Sequence, residues 1–561
     1  MRASFLGVVA STFVLGLTAV IACGSDRDGF ATDADGGGGD DDASSGFLPV
    51  DGGFGGDAGE PELPPGETRD PVDCEEAKTS KSYVGCDYWP TVTPNAVWSI
   101  FDYAVVVANT GTKSANVTVT GPNAVNKQVT VPAGELRKIF LPWVPALKGS
   151  DFDECTSSTP LTSSVVVSEG AYHLVSSTPV IVYQFSALQY KGEGGEGPDG
   201  GAKDWSTCPA ASCAQSIDCF SYSNDASLLL PSTAMTNNYR VTAFKGVAPI
   251  FLLSPGIATA LSVTATQPNT EVTLTLSSTA TVRASASGQA IPAATSGKVT
   301  LVLAKAGDVA EFVAQPGRDF SGSLVQSDKP VQVISSIPCI SIGGPACDHI
   351  EETVVPAETL GKRYVVAQPT GPKGQAVGQH VRLFGNKDGT QLTYSPSKPA
   401  KCPDTLNAGQ IGECDIVNAT FEVTGDKEFG VSTFLLGASV YNDPKGDPAQ
   451  TNVAAIEQFR TKYVFLAPND YPVLWADITA TEDAEIQLDG AAVTAPWTKV
   501  GAGPFGVHRV DLTKSGQDGA HTLTAKKPVG VQVIGFGDNT SFQYPAGLNL
   551  NLIAPPPPPP K

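Results

Sequence analysis

Histidine is scarce in this chain, with five in 561 residues, at 173, 349, 380, 508 and 521. No His-Glu-x-x-His zinc motif, Gly-x-Ser-x-Gly nucleophile turn or Gly-rich phosphate loop occurs. The sequence therefore gives no motif-level ground for a metal hydrolase, a serine hydrolase or a nucleotide-binding enzyme, and the chain reads as non-enzymatic, without a cofactor. Only His349, beside Cys347-Asp348 and ahead of Glu351-Glu352, sets a metal reading against a plainer one, the cap of a disulfide-closed turn. His508 and His521, in or beside strands near the end, are able to approach each other and read as packing. Positive charge is short as well: 36 Lys and Arg face 57 Asp and Glu, a formal net charge of −21. Such acidity disfavours nucleic acid and anionic lipid as partners. Tight Cys-x2-Cys pairs are also missing, the shortest gaps being four and five residues, which favours disulfides over zinc.

Of eleven cysteines, one stands apart. Met1-Arg2 gives a short positive start, Ala3 to Ala22 is uncharged, and Val20-Ile21-Ala22-Cys23 has the aliphatic and small residues that precede a lipidated cysteine in bacterial lipoprotein signals. An uncleaved membrane helix is the alternative, since twenty uncharged residues are just long enough. Ala, Ser, Thr and Gly dilute the stretch, so we read residues 1–22 as a lipoprotein signal and Cys23 as the lipidation site. A diacylated cysteine holds a protein on a membrane where one chain does not.

Residues 23–67 read as the lipidated cysteine and a disordered tether. From 24 to 67 there are thirteen glycines, and twelve acids against Arg27 alone, so −11 of the net charge sits there. As a flexible coil it spans roughly 35–40 Å. Its aspartates lack the ordered alternation and closing Glu of a calcium loop. The other ten cysteines then face an oxidising compartment. Their spacing suggests Cys74–Cys86, Cys213–Cys219, Cys339–Cys347 and Cys402–Cys414, leaving Cys155–Cys208.

Val, Thr, Ser, Gly and Pro prevail over Leu, Lys and Glu, the composition of an all-β protein. One phrase recurs: Pro179-Val180-Ile181-Val182-Tyr183-Gln184-Phe185, Pro330-Val331-Gln332-Val333-Ile334, Glu428-Phe429-Gly430-Val431-Ser432-Thr433-Phe434 and Pro528-Val529-Gly530-Val531-Gln532-Val533-Ile534. A short polar pair precedes each, so each reads as the second strand of a hairpin. A second marker opens the later repeats, at Tyr239, Tyr364 and Tyr463. From Tyr364 to Tyr463 is 99 residues, from Pro330 to Glu428 98 and from Glu428 to Pro528 100, so two markers keep one period there, evidence for a true repeat. Within repeats a further hairpin is expected, joining 262–266 with 271–275, 381–384 with 391–394, and 477–480 with 485–488.

These features predict tandem antiparallel β-sandwich-like modules of about 100 residues, with a β-propeller of two blades per repeat as the alternative. The expected division is 68–190 for the first module with its disulfide-bounded opening, 191–224 for a Cys-rich insertion loop, 225–348, 349–445 and 446–553 for the next three modules, and 554–561 for a solvated poly-Pro tail. The densest aromatic set, Tyr83, Tyr88, Trp89, Trp98, Phe101 and Tyr103, is either a sugar-stacking platform or, the reading we favour, a lid over the first core. The triplets at Asn116, Asn418 and Asn539 fit the glycan acceptor pattern and read here as strand and turn residues.

The openings in which Pro precedes Tyr-x-Val by several residues (Pro231/Tyr239/Val241, Pro356/Tyr364), the Val131-Pro132-Ala133-Gly134 turn leading to Leu141-Pro142, and Ser177 to Phe185 together resemble the N-terminal domain of the IgGFc-binding protein family, over roughly residues 83 to 548. The resemblance implies an extracellular β-rich recognition or structural module with no assigned enzymatic activity. The animal members follow it with von Willebrand-type D domains, which nothing after Phe536 resembles, so a mucus-crosslinking role does not carry over, nor does antibody binding. The expected protein is a bacterial outer-membrane lipoprotein, surface-exposed and engaged in adhesion to a protein or glycan. A structural envelope or matrix component is the alternative.

Overall fold

The recurring phrase marks the place where each repeat changes sheet. The computed structural model describes residues 70–208, 220–250, 254–286, 291–345, 347–513 and 519–560. In it Pro179 to Phe185 is the second half of a single strand, His173–Phe185. The first half pairs with Gly85–Tyr88 and Ala115–Gly121; the second half pairs with Tyr103–Ala108 and Ala226–Leu228. Burial alternates along the first half and is continuous along the second, as expected of a strand that leaves a half-solvated sheet for a sheet covered on both faces.

The other repeats have the same topology. Their crossing strands are Leu324–Ser327 with Val331–Ile340, Phe421–Gly425 with Phe429–Phe434, and the eighteen-residue Ala520–Gly537. In one sheet the crossing strand lies between an opening strand (Gly85–Tyr88, Asn238–Arg240, Arg363–Val366 or Arg460–Leu466) and a strand at Ala115–Gly121, Thr270–Thr275, Thr390–Ser395 or Gln487–Leu488. In the other it lies between a strand at Tyr103–Ala108, Ala260–Ala265, Gln379–Gly385 or Val473–Thr481 and a closing strand at Ala226–Leu228, Asp348–Thr353, Gln450–Asn452 or Thr540–Pro545. The fold is thus all-β, four antiparallel two-sheet sandwiches in tandem.

Three expectations change. The polar pair before the phrase is not a hairpin turn: the chain keeps its direction through Ser177-Thr178 and Lys526-Lys527, and pauses only briefly at Asp328-Lys329 and Asp426-Lys427. Polar residues at a seam between sheets face water as they would in a turn, so local sequence does not separate the two. The second recurrent hairpin is instead a connection across the core, because Ala260–Ala265 and Thr270–Thr275, like Gln379–Gly385 and Thr390–Ser395, lie in different sheets, and Val473–Thr481 and Gln487–Leu488 pair with different halves of Ala520–Gly537. Alternation reports a half-buried strand but not its partner. The poly-Pro tail, expected to be solvated, runs back over the protein: Arg240 Nη2 donates to the Pro558 carbonyl at 2.5 Å. In pairing, moreover, each closing strand belongs with the repeat before it, so Ala226–Leu228 bonds to the first sandwich.

The repeating tyrosine explains why both sequence markers share a period. Tyr239 and Tyr463 donate their hydroxyls to the carbonyls of Val331 and Val529, at 2.6 and 2.5 Å, and Tyr364 donates to Phe429. Tyr88 does the same to Val180 at 2.6 Å, giving the first repeat its own latch. Each of these carbonyls belongs to the second residue of the phrase.

Two contacts bind neighbours further. Val165–Val167 adds an edge strand to Val309–Val313 of the second sandwich. The first and fourth sandwiches share one hydrophobic core, in which Tyr183 packs on Tyr544 at 4.7 Å and Phe185 on Phe542 at 5.8 Å. The early aromatic set is interior: Tyr83, Tyr88, Phe101 and Tyr103 are fully buried and Trp89 nearly so, while Trp98 packs half-buried against the same core.

Candidate functional site

The four closing strands meet. Ala226–Leu228 lies against both Asp348–Thr353 and Thr540–Pro545, and Gln450–Asn452 lies against the same two, so the four sandwiches close into a ring. Side chains placed by identical register fill the centre: Ala226, Glu351, Gln450 and Gln543 each sit opposite the seventh residue of the phrase or its counterpart, Phe185, Ser336, Phe434 and Ile534.

Asp225 is the tie among them. Its carboxylate accepts the backbone N–H of Ala226 at 2.9 Å, of Glu351 at 3.1 Å and of Gln450 at 3.0 Å, one from each of three sandwiches. Gln543 Nε2 donates to the carbonyls of Thr433 and Ala449 at 3.1 and 2.7 Å, Gln184 Nε2 donates to Glu351 at 3.0 Å, and Thr540 donates to Asn224 at 3.0 Å. Burial pushes the Asp225 carboxyl well above the ordinary range, while its three N–H donors act in the opposite sense. Burial also raises Asp348 and Glu352, and brings Asp447 to about 7. This centre is a sealed polar joint, and a cavity of about 30 Å³ beside Glu352 and Asn452 has room for about one water.

Ligand-sized concavities lie on the outside. A groove of about 430 Å³ on the fourth sandwich is lined by Trp475, Leu488, Val493, Arg509 and Asp511. Trp475 faces Asp511 across paired strands, and two residues further on Asp477 faces Arg509. Arg509 Nη2 donates to the Gln368 carbonyl at 2.9 Å, which fixes the guanidinium at the edge of the third sandwich. Trp475 Nε1 and Arg509 Nε are shielded from solvent beneath the groove and have no partner among the described residues. A second groove, of about 450 Å³, borders the Cys402–Cys414 bridge and carries Lys401, Asp415 and Ile416. Volumes of this size suit small ligands or short segments of a partner.

Cysteine sulfurs are bonded in the pairs Cys74–Cys86, Cys155–Cys208, Cys339–Cys347 and Cys402–Cys414. Cys23, the signal and tether before residue 70, Cys213 and Cys219 lie outside the described residues. Of the insertion 191–224, Lys191 bridges to Phe220 and Cys208 ties it to the first sandwich. His349 does not cap a turn: it is buried on Asp348–Thr353, its Nε2 3.5 Å from Glu351 and 3.4 Å from Thr93. His508 and His521 are not brought together; one, opposite Ile478, bonds the Ala495 carbonyl and the other, opposite Phe465, bonds Asp489. Among the described residues no group of three or more His, Cys, Asp or Glu is placed to hold a metal, and no helix is long and apolar enough to cross a membrane. Neither Asp225 nor the groove residues Trp475 and Arg509 were singled out by sequence.

Four sandwiches, three of them carrying disulfides, with open outer grooves define a repeat-built binding protein of the kind found in oxidising compartments. The profile of the IgGFc binding protein family matches residues 225–535, more than half of the chain, and the chain belongs to that family. The matched span runs from the joint residue Asp225 through the last crossing strand. The family is one of non-enzymatic binding domains. No curated protein matches the chain. A solved structure described as a tetra-tandem repeat in the extending region of a large adhesion protein aligns with 83% of this chain and 99% of its own length at 12% identity, with a TM-score of 0.09, too low to bear on fold or function.

Proposed function

We propose that this protein is a bacterial outer-membrane lipoprotein, anchored by acyl chains on Cys23 and carried away from the membrane by the acidic tether, whose ring of sandwiches recognises a protein or glycan at the cell surface without catalysis. The groove on the fourth sandwich carries this reading. An aromatic wall, Trp475, and a cation fixed by the Gln368 carbonyl, Arg509, suit an acceptor-rich ligand such as a glycan or an extended peptide backbone. A purely structural envelope component has no need of such a groove.

The test is protease shaving of intact cells, with mass spectrometry of the released peptides and of the Cys23 fragment, followed by whole-cell and glycan binding with Trp475→Ala and Arg509→Ala. Release of peptides from all four sandwiches, acylated Cys23 left in the membrane, and at least tenfold weaker binding by both variants are expected. Resistance to shaving until the outer membrane is opened points to the envelope role instead.

A further inference from the structure

The C-terminal segment is seated in a site shaped for it. Asn549 and Asn551 are held by Gln458, and the N–H groups of Ile553 and Ala554 both donate to the Glu358 carbonyl at 2.9 Å. From Pro555 to Pro560 the backbone has no N–H to give, so a site for it has to supply donors. Arg240 supplies one: its Nη2 donates to the Pro558 carbonyl at 2.5 Å, while its Nη1 is held by the Gly322 carbonyl at 2.9 Å. The side chain is 1% exposed, and a guanidinium carries donors only. Its partners in this cleft are thus the kind of group that a proline run presents.

Burial along the tail has the period of a polyproline II helix, three residues per turn. Ala554 and Pro557 face inward, Pro555, Pro556 and Pro559 face out, and Pro560 comes round again onto Gly409. The floor there is two glycines, Gly322 and Gly409, with φ of +78° and +77°, and a Cβ at Gly409 would fall 2.3 Å from the Pro560 Cβ. Glycine is thus required twice over, by backbone conformation and by the approach of the ring.

We propose that the Arg240 cleft between the second and third sandwiches is a recognition site for proline-rich segments in the polyproline II conformation, which this chain fills with its own residues 555–560. Such segments are already extended when free, so little ordering entropy opposes their docking. The site lies apart from the fourth-sandwich groove and does not depend on it.

The probe is a fluorescein-labelled peptide, Ala-Pro-Pro-Pro-Pro-Pro-Pro-Lys, titrated by anisotropy into the intact chain and into a chain ended after Ala554. The shortened chain is expected to bind saturably, and the intact chain at least tenfold more weakly because the cleft is occupied. Arg240→Gln in the shortened chain is expected to lower affinity at least tenfold, and a peptide with alternate prolines replaced by glycine to bind no better than that variant. Should the shortened chain misfold by circular dichroism, a dye ligated beyond Lys561 of the intact chain gives a second measurement: its rotation is slow in the wild type and fast in Arg240→Gln. Absent or unsaturable peptide binding by a folded shortened chain, affinity indifferent to Arg240, or a dye equally mobile in both chains overturns the proposal.

Discussion

Replacing Asp225 by alanine strips the acceptor from three buried N–H groups at once, on Ala226, Glu351 and Gln450. Each orphaned donor costs about 1–3 kcal/mol, so Asp225→Ala is expected to lose on the order of 3 kcal/mol or more, read by guanidinium denaturation, while Asp225→Asn, which keeps one acceptor oxygen, loses less. Buried carboxyls also give stability a pH dependence. Burial brings Glu311, bonded to Ser262, to about 8, and Asp447 to about 7. Unfolded, both titrate near about 4, so the folded state holds the extra protons above that. Their contribution is complete below about pH 4 and is lost as pH rises through 7 and 8. Thermal melts from pH 5 to 9 are expected to show a falling midpoint, and Glu311→Gln to flatten the upper part of that fall.

At the scale of elements, the tyrosine latch and the crossing strand act together. Tyr364 accepts the N–H of Gly361 at 3.1 Å and donates to Phe429; Tyr463 accepts from Arg460 at 3.1 Å and donates to Val529. The ring fills the core beneath while the hydroxyl fastens the opening strand to the point where the crossing strand changes sheet. Tyr364→Phe and Tyr463→Phe keep the ring and lose the latch, so each is expected to cost about 1 kcal/mol or somewhat more, with additive losses in the double variant because the two lie in different sandwiches. Denaturation of the four chains in a double-mutant cycle checks this.

For the whole molecule the ring makes a different prediction from a string of beads. First and fourth sandwiches share a core, all four meet around Asp225, and Arg382 joins the second to the third by bonding the buried Asp319 at 2.7 Å and the half-exposed Glu413 at 2.6 Å. Calorimetry is expected to give one coupled transition for the disulfide-intact protein, whereas independent modules would melt separately. Arg382→Met leaves the buried Asp319 without its cation and is expected to cost about 3–5 kcal/mol and to split that transition.

Sequence by itself determined the all-β class, the tandem repetition and the family, because hydrophobic alternation and the recurring Tyr and Pro-Val positions are local patterns copied along the chain. The near-neighbour cysteines and the phrase Pro179 to Phe185 were legible for the same reason. Which strands pair was decided only by tertiary structure: a polar pair such as Ser177-Thr178 is the same in a turn and at a sheet seam, and alternation is the same in a hairpin and across a core. The ring, the Asp225 joint, the Trp475–Arg509 groove and the seat of the proline tail each bring together residues from separate repeats or strands. Their chemistry arises from contacts between parts of the chain a hundred residues or more apart, or on neighbouring strands whose register the sequence leaves open, and no local pattern encodes them.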